Sequence, residues 1–514
     1  MTRPEDAPNP PVRRLEIVAV AGVVLLGLVL RVATRSHLWL DEALSANIAS
    51  LPLSDLVDAL RHDGHPPLYY ALLHLWMDVV GEGDLAVRAL SGIASALTLP
   101  LVYVLARRRR GPAAGAAALA LAAVIPYATR YATEARMYAL VMFLVALGWW
   151  LIDLLLDGRG GRLAAASLAV VGSLLLYSHY WSVWILGVTG LGLLLVRWRS
   201  ADPDRRRGGQ RGAIALFVAG LSFLPWLPVM LDQLAHTGTP WGAPQRPTMS
   251  VSIALVDFAG GGVVTEAVLG SVVLTILVAL GIAGVPQPPT RIALELRTVP
   301  GIRVELAVTM AALGVGLVVA WLSGATFASR YAAFALPVVV VASGIGVVVA
   351  PSRLTRALLG GGAVAVLAGA AVLGALEERT QGYAASEAVD SAARPGDVVL
   401  VCPDQLGPAF ARELDADVEV LTHPSLEGPD LVDWREYEER NRLADPDAVA
   451  REVLDRAGEG TVWLVWMSGY ATYESQCEEL REVFATARPA QTVVTADAGE
   501  VFEPMWVERF PSSP

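Results

Sequence analysis

The chain of 514 residues is 54% hydrophobic and 17% charged, with a mean hydropathy of +0.50. That balance excludes a disordered chain and a string of soluble domains, and two cysteines exclude a disulfide scaffold. A net charge of −11 argues against nucleic acid as a partner. The charge is divided unevenly. From Glu377 onward there are 29 acids against 11 arginines, whereas the preceding part has 28 arginines against 21 acids. A basic membrane body followed by an acidic tail is the reading this asymmetry supports. The chain contains no lysine and is rich in Ala, Gly, Val and Arg, a composition suggestive of a GC-rich bacterium.

Apolar runs of 17–24 residues recur from about 15 to about 376. Each is near the roughly 20 residues that cross a bilayer as a helix. The first, 15–34, follows Arg13 and Arg14, so positive-inside bias puts the N-terminus in the cytoplasm. It lacks a small-residue cleavage site and reads as an anchor. The next segment, 35–84, is then an outer loop. Within it, Pro66 to Gly81 is short and carries His74 and Asp78, which predicts an interfacial helix rather than a span.

Further spans are predicted at 85–106, 112–129, 134–156, 163–179, 181–197, 212–230, 264–285, 304–323, 333–350 and 355–376. This makes about 11 in all. The arginines at 107–110, 159 and 162, 197–211, 291, 297 and 303, and 353 and 356 then fall on the cytoplasmic side. The tail, 377–514, falls outside. Asp397–Val401, Asp417–Leu421 and Thr461–Trp466 read as buried strands; Asp447–Arg456 and Tyr473–Ala485 read as helices. The expected architecture is a polytopic α-helical membrane domain, 1–376, with a C-terminal extracytoplasmic α/β domain, 377–514. Cys402 and Cys477 would pair in an oxidising compartment or remain buried small thiols; both readings stay open.

Five polar groups from separate parts of the chain fall on the outer face. They are Asp41-Glu42, the run His62 to Pro67 with His65, Glu134 and Arg136, His179 among aromatics, and Ser329-Arg330-Tyr331. Four have a plain structural explanation: a helix N-terminus, a proline turn, an interface belt or a headgroup anchor; Glu134 and Arg136, two apart, do not face each other on a helix and are not simply a structural pair. Gathered at one membrane face, they suit a reaction with an anionic leaving group. A carboxylate takes a hydroxyl proton and an arginine neutralises a departing phosphate.

The runs WLDEALSANIA, GHPPLYYALLHLW, AVRALS and YATEARMYAL resemble the N-terminal half of the GT-C glycosyltransferases. More narrowly, they are similar to bacterial relatives of protein O-mannosyltransferases and of the lipid A aminoarabinose transferase. The likeness is good over about 1–200, weaker over 200–376, and covers the tail only in that such proteins often end in an extracytoplasmic domain. It implies an enzyme of the bacterial cytoplasmic membrane. The enzyme would move a sugar from a polyprenyl-phosphate donor to an outer-face glycan, lipid or protein acceptor, inverting the anomeric carbon. Asp41 would match the first-loop acid that acts as base or orients the acceptor. Asp41, Glu42 and Glu134 are the candidate catalytic carboxylates; His65, Arg136, His179, Arg330 and Tyr331 are the candidate substrate-binding residues. Glu134 departs from an aspartate found in several relatives. The resemblance leaves a divalent metal open, with His65, Glu134 and His179 as the ligands on offer. A lipid-linked sugar flippase would use the same spans and lipid, but would show broken helices and pseudo-repeated halves at mid-membrane. A membrane-anchored scaffold with an acidic binding tail is the third reading.

Overall fold

A computed structural model describes residues 10–261, 265–287, 291–295, 301–499 and 501–512. Helix α1 (Pro10–Leu30) occupies the first predicted span. The segment expected outside, 35–84, folds first into α2 (Leu40–Ser50), α3 (Leu56–Asp63) and α4 (Leu68–Val80). With 13 residues, α4 is too short to cross a bilayer. It buries Tyr69, Tyr70, Leu73 and Met77 and exposes Leu75 and Val79, the habit of an interfacial helix.

The membrane body continues through α5 (Asp84–Arg110), α6 (Pro112–Val124), α7 (Pro126–Ala132), α8 (Tyr138–Leu156), α9 (Gly161–Ser178) and α10 (Ser182–Arg199). Next come α11 (Pro203–Ser222), α12 (Leu227–His236), α13 (Pro247–Phe258) and α14 (Thr265–Ala283). The hairpin β1 (Gly284–Gln287) and β2 (Arg291–Leu294) leads to α15 (Arg303–Ser323), α16 (Leu336–Val349) and α17 (Arg353–Leu376). Among the described residues, eight helices are long and apolar enough to cross a membrane, or ten if two bent pairs each count as one. Residue 264 of one predicted span and Arg297 of a predicted cytoplasmic loop lie outside the described residues.

The bent pairs are α6–α7, at 53°, and α11–α12, at 67°. Both breaks contain proline, which has no N–H to continue the helical ladder. At the first break, the carbonyls of Ala122 and Ala123 accept from Arg31 at 2.8 and 2.6 Å. The same guanidinium reaches Gly27 O and Ser95 Oγ. A buried arginine thus takes up backbone groups that the bend leaves without helical partners. Arg31→Met should lower stability by about 2–5 kcal/mol, because buried carbonyls lose their donor. Thermal melting in detergent checks this; melting within about 2 °C of wild type would contradict it.

α16 is apolar all round and buried on nearly every side, as expected of a central helix. Glycines let its neighbours approach: a Cβ on Gly344 would lie 2.5 Å from the Ala118 Cβ of α6, and one on Gly346 2.0 Å from Leu277 O of α14. At one end of the bundle, Arg109 pairs with Asp153 at 2.8 Å and with Glu305, and Arg108 pairs with Asp157. Three loops expected on the cytoplasmic side therefore meet.

Past α17, the chain forms α18 (Gly382–Asp390), β3 (Val398–Cys402), α19 (Gly407–Ala411), β4 (Glu419–Thr422), α20 (Tyr437–Arg442), α21 (Pro446–Ala457), β5 (Val462–Trp466), α22 (Gln476–Ala487), β6 (Gln491–Val494) and β7 (Trp506–Phe510). The sheet order is β4-β3-β5-β7-β6. β3 pairs in parallel with β4 and β5, while β7 is antiparallel to β5 and β6. β3 (VVLVC) and β5 (VWLVW) are buried throughout, as central strands covered on both faces should be. Cys402, ending β3, forms a disulfide with Cys477 of α22. The domain seats on α2, α3 and α12. Trp434 N–H donates to His62 O at 3.0 Å, Asn47 to Asp430 O at 2.8 Å, and Glu436 N–H to His236 O of α12 at 2.9 Å.

Candidate functional site

The first turn of α2 carries Asp41 and Glu42, both buried, and the two face different partners. Arg330 Nη1 donates to Asp41 Oδ2 at 2.8 Å, and Arg136 Nε lies 3.9 Å from the same oxygen. Burial pushes the Asp41 carboxyl up, but the Arg330 and Arg136 guanidiniums lead the opposing interactions, and the group is held below its ordinary range.

Glu42 is fully buried and committed to arginine. Arg88 donates to both of its oxygens at 2.7 Å, and Arg379, from the segment after α17, approaches at 3.5 Å. Its Oε1 also accepts from Ala135 N–H at 3.0 Å. Such a bidentate buried pair orients a loop rather than leaving an oxygen for substrate.

The segment 133–137 departs from expectation. The sequence suggests a helix beginning at 134, but α8 begins at Tyr138. Glu42 captures Ala135 N–H, and Arg379 takes Thr133 O at 2.8 Å and Thr133 Oγ1 at 2.8 Å. Long-range partners thereby claim backbone groups that a longer helix would use. The resulting loop, outside the spans, holds Glu134 and Arg136.

Arg136 is buried and joins four groups. Its Nη1 reaches Ser45 Oγ at 3.0 Å, Tyr70 OH at 3.1 Å and Asp41 O at 3.5 Å; its Nη2 faces His65 Nε2 at 3.1 Å. A guanidinium only donates, so His65 Nε2 accepts and its Nδ1 carries the proton. That proton points to Asp63 Oδ2 at 2.8 Å, which also accepts from Tyr70 OH at 2.6 Å. Burial opposes the Asp63 charge, yet His65, Arg136 and Tyr70 bring its pKa down to about 2.

Glu134 is buried, and neither oxygen has a hydrogen-bond partner among the described residues. Arg130 lies 3.2 Å away, one helical turn earlier, and also over the Trp39 ring. Burial dominates and raises Glu134 to about 7, against the pull of Arg130.

His179 sits between α9 and α10, where its Nδ1 accepts from Trp181 N–H at 3.2 Å. Its ring packs on Tyr331 at 5.3 Å, and Tyr331 packs on Trp181 at 5.4 Å. Arg330 stacks over Trp241 at 5.5 Å.

Near these carboxylates, Arg130 Nη1, Arg136 Nε and Arg330 Nε are buried without a hydrogen-bond partner among the described residues. Unmet cationic donors beside Asp41 and Glu134 form a place suited to an anion.

The proposed metal ligands do not fit an ion. His65 spends one nitrogen on Asp63 and faces Arg136 with the other, and further arginines flank Glu134 and Asp41. Among the described residues, the grouping with metal-ligand spacing is His37, Asp84 and Glu413, at the seam with the C-terminal domain.

Sequence reasoning missed Arg88, Arg130, Arg379 and Glu503. Arg130 was readable from its i,i+4 spacing to Glu134. Arg88 lies in the AVRALS run without a spacing that names its partner. Nothing local marks Arg379 or Glu503.

Residues 64–226 match the family described as dolichyl-phosphate-mannose-protein mannosyltransferase. No curated protein sequence matches the chain. Apo ArnT from Cupriavidus metallidurans is similar in structure with a TM-score of 0.61 at 13% identity, covering 97% of this chain and 99% of that one. ArnT bound to undecaprenyl phosphate matches at 0.54 and 13%, covering 96% and 97%. The oligosaccharyltransferase AglB from Archaeoglobus fulgidus, in complex with an inhibitory peptide and a dolichol-phosphate, matches at 0.51 and 12%, covering 94% and 73%. The chain has the ArnT-like GT-C fold, and its segment 64–226 carries the sequence pattern of the family described as dolichyl-phosphate-mannose-protein mannosyltransferase.

Proposed function

We propose that this protein is a membrane glycosyltransferase that takes its sugar from a polyprenyl-phosphate donor. One observation carries the reading: Arg136 and Arg330, which flank Asp41, each keep a buried N–H without a hydrogen-bond partner among the described residues. The donor phosphate is the anion they await. Undecaprenyl phosphate in ArnT and dolichol-phosphate in AglB support a lipid phosphate as the ligand class.

The outer face is the proposed site of transfer. Arginine-rich loops at the opposite end mark the cytoplasm, and a disulfide in the C-terminal domain suits an oxidising compartment. The acceptor enters between the outer loop and the C-terminal domain.

In the resting site, Arg330 suppresses the basicity of Asp41. Donor phosphate draws Arg330 toward itself, so Asp41 becomes a stronger base when the donor is present. The acceptor oxygen attacks the anomeric carbon opposite the phosphate. The acceptor O–C bond forms, the C–O bond to phosphate breaks, and Asp41 takes the hydroxyl proton. The configuration inverts, and polyprenyl phosphate leaves, stabilised by the arginines. Glu42 holds the loops, and Glu134 as a carboxylate orients the acceptor. His65 fixes Arg136, while Tyr331, His179 and Trp181 wall the sugar.

If Glu134 acts ionised, wild-type kcat/KM rises with pH through about 7, and Glu134→Gln loses that limb. A wild-type profile flat from about pH 5.5 to 8.5 would speak against this role.

The flippase reading shares the broken pair α6–α7. There, however, Arg31 takes the freed carbonyls, leaving them no substrate to face. The test is transfer by purified protein in lipid, using a panel of labelled polyprenyl-phosphate sugars. Turnover of one donor supports the enzyme; labelled lipid crossing the bilayer without transfer would favour a flippase.

A further inference from the structure

Helix α2 begins without a cap of its own. Glu42 and Ala43 N–H both donate to Trp39 O at 2.9 Å, but the first N–H groups of a helix have no intrahelical acceptor, and the N-cap position therefore favours Ser, Thr, Asp or Asn. Here the N-cap is Trp39, whose side chain makes no capping bond. The acceptor comes from 463 positions along the chain: Glu503 Oε1 receives Leu40 N–H at 2.9 Å.

Glu503 is held for this task. Its N–H donates to Arg379 O at 2.9 Å, and its carbonyl accepts Gln381 N–H at 3.1 Å, forming a bridge beside Thr380. Trp39 packs edge-on against neighbouring Phe502 at 5.2 Å. The carboxyl is 5% exposed, and its second oxygen has no hydrogen-bond partner among the described residues. Burial pushes it up to about 8; Leu40 N–H and Thr380 pull down, and Asp41 and Glu42 push up. Near neutral pH it is therefore mainly an uncharged acceptor, sparing the two carboxylates of α2 a third negative neighbour.

We infer that Glu503 is a positioning residue for the transfer proposed above: through this hydrogen bond, the C-terminal domain sets the first turn of α2 and so aims Asp41. The inference rests on Asp41 serving that reaction.

The test compares full-length wild type, Glu503→Gln and Glu503→Ala in lipid. Hydrogen exchange over the first turn of α2 is read beside steady-state transfer. Glutamine keeps an oxygen acceptor, so its exchange and kcat stay within about threefold of wild type. In Glu503→Ala, exchange over 40–43 rises about tenfold. Its kcat falls about tenfold or more, with donor KM within about twofold, because a misaimed base slows chemistry without loosening phosphate. Unchanged exchange in Glu503→Ala overturns the inference whatever the transfer assay gives. So does raised exchange with full kcat. A glutamine variant as impaired as alanine also overturns it, by requiring the ionisable carboxyl. If wild type transfers from no donor, the proposed reaction fails; exchange alone then decides whether Glu503 holds α2.

Discussion

Asp41→Asn should reduce kcat by about a thousandfold or more, within the range for loss of a positioned base. Asparagine has nearly the same shape, and its amide oxygen still accepts from Arg330. Arg136 keeps Ser45, Tyr70 and His65, so neither guanidinium is stranded. Folding should therefore survive. Donor affinity should stay equal or tighten, because a negative charge beside the phosphate is removed. Single-turnover transfer from a labelled polyprenyl-phosphate sugar, with melting as a control, measures this. A variant within about tenfold of wild-type turnover would remove Asp41 from the chemistry.

Arg330→Met should cost about 10²–10³ in kcat/KM, the scale of losing one preorganised donor to a developing anion. The variant also exposes a pH effect of definite sign. Arg330 is the leading opponent of the burial that pushes Asp41 up. Without it, Asp41 holds its proton to higher pH, and more of it becomes an active base as pH rises. Residual kcat/KM should therefore climb with pH over a range where the wild-type contribution from Asp41 is already level. Arg330→Lys should fall between, since a point charge lacks the planar fork of guanidinium. A merely structural Arg330 would instead lower the melting temperature and leave the shape of the profile unchanged.

The membrane architecture was legible because the hydropathy of each span is local. Runs such as 336–349 must bury their apolar side chains in protein or lipid, and a helix is the way they satisfy their own backbone. Likewise, β3 and β5 announce themselves as unbroken β-branched and aromatic runs. The antiparallel strands β6 and β7 went unread, as did the short apolar helix α13, which lies in the stretch between two predicted spans. β7 has charged residues within it, so its pattern does not separate it from a loop.

The site divides in the same way. Asp41, Glu134, His65, Arg136, His179, Arg330 and Tyr331 could be nominated from residue type, topology and resemblance. Their division of labour could not. Adjacent carboxylates in one helical turn, Asp41 and Glu42, look equivalent in sequence. They diverge because side chains one position apart point about 100° apart on a helix, one toward Arg330 and the other toward Arg88.

By itself, the sequence determined the membrane-spanning character of the body, its charge asymmetry against the tail and the residue types available for phosphate chemistry. Each depends on composition or periodicity along the chain. Only the tertiary structure decided that Arg31 mends a broken helix, that Arg379 and Glu42 open the loop around Glu134, and that Glu503 caps the helix carrying Asp41. Each of those is a hydrogen bond between segments from tens to hundreds of residues apart. Its partner is selected by packing, and no local pattern encodes it.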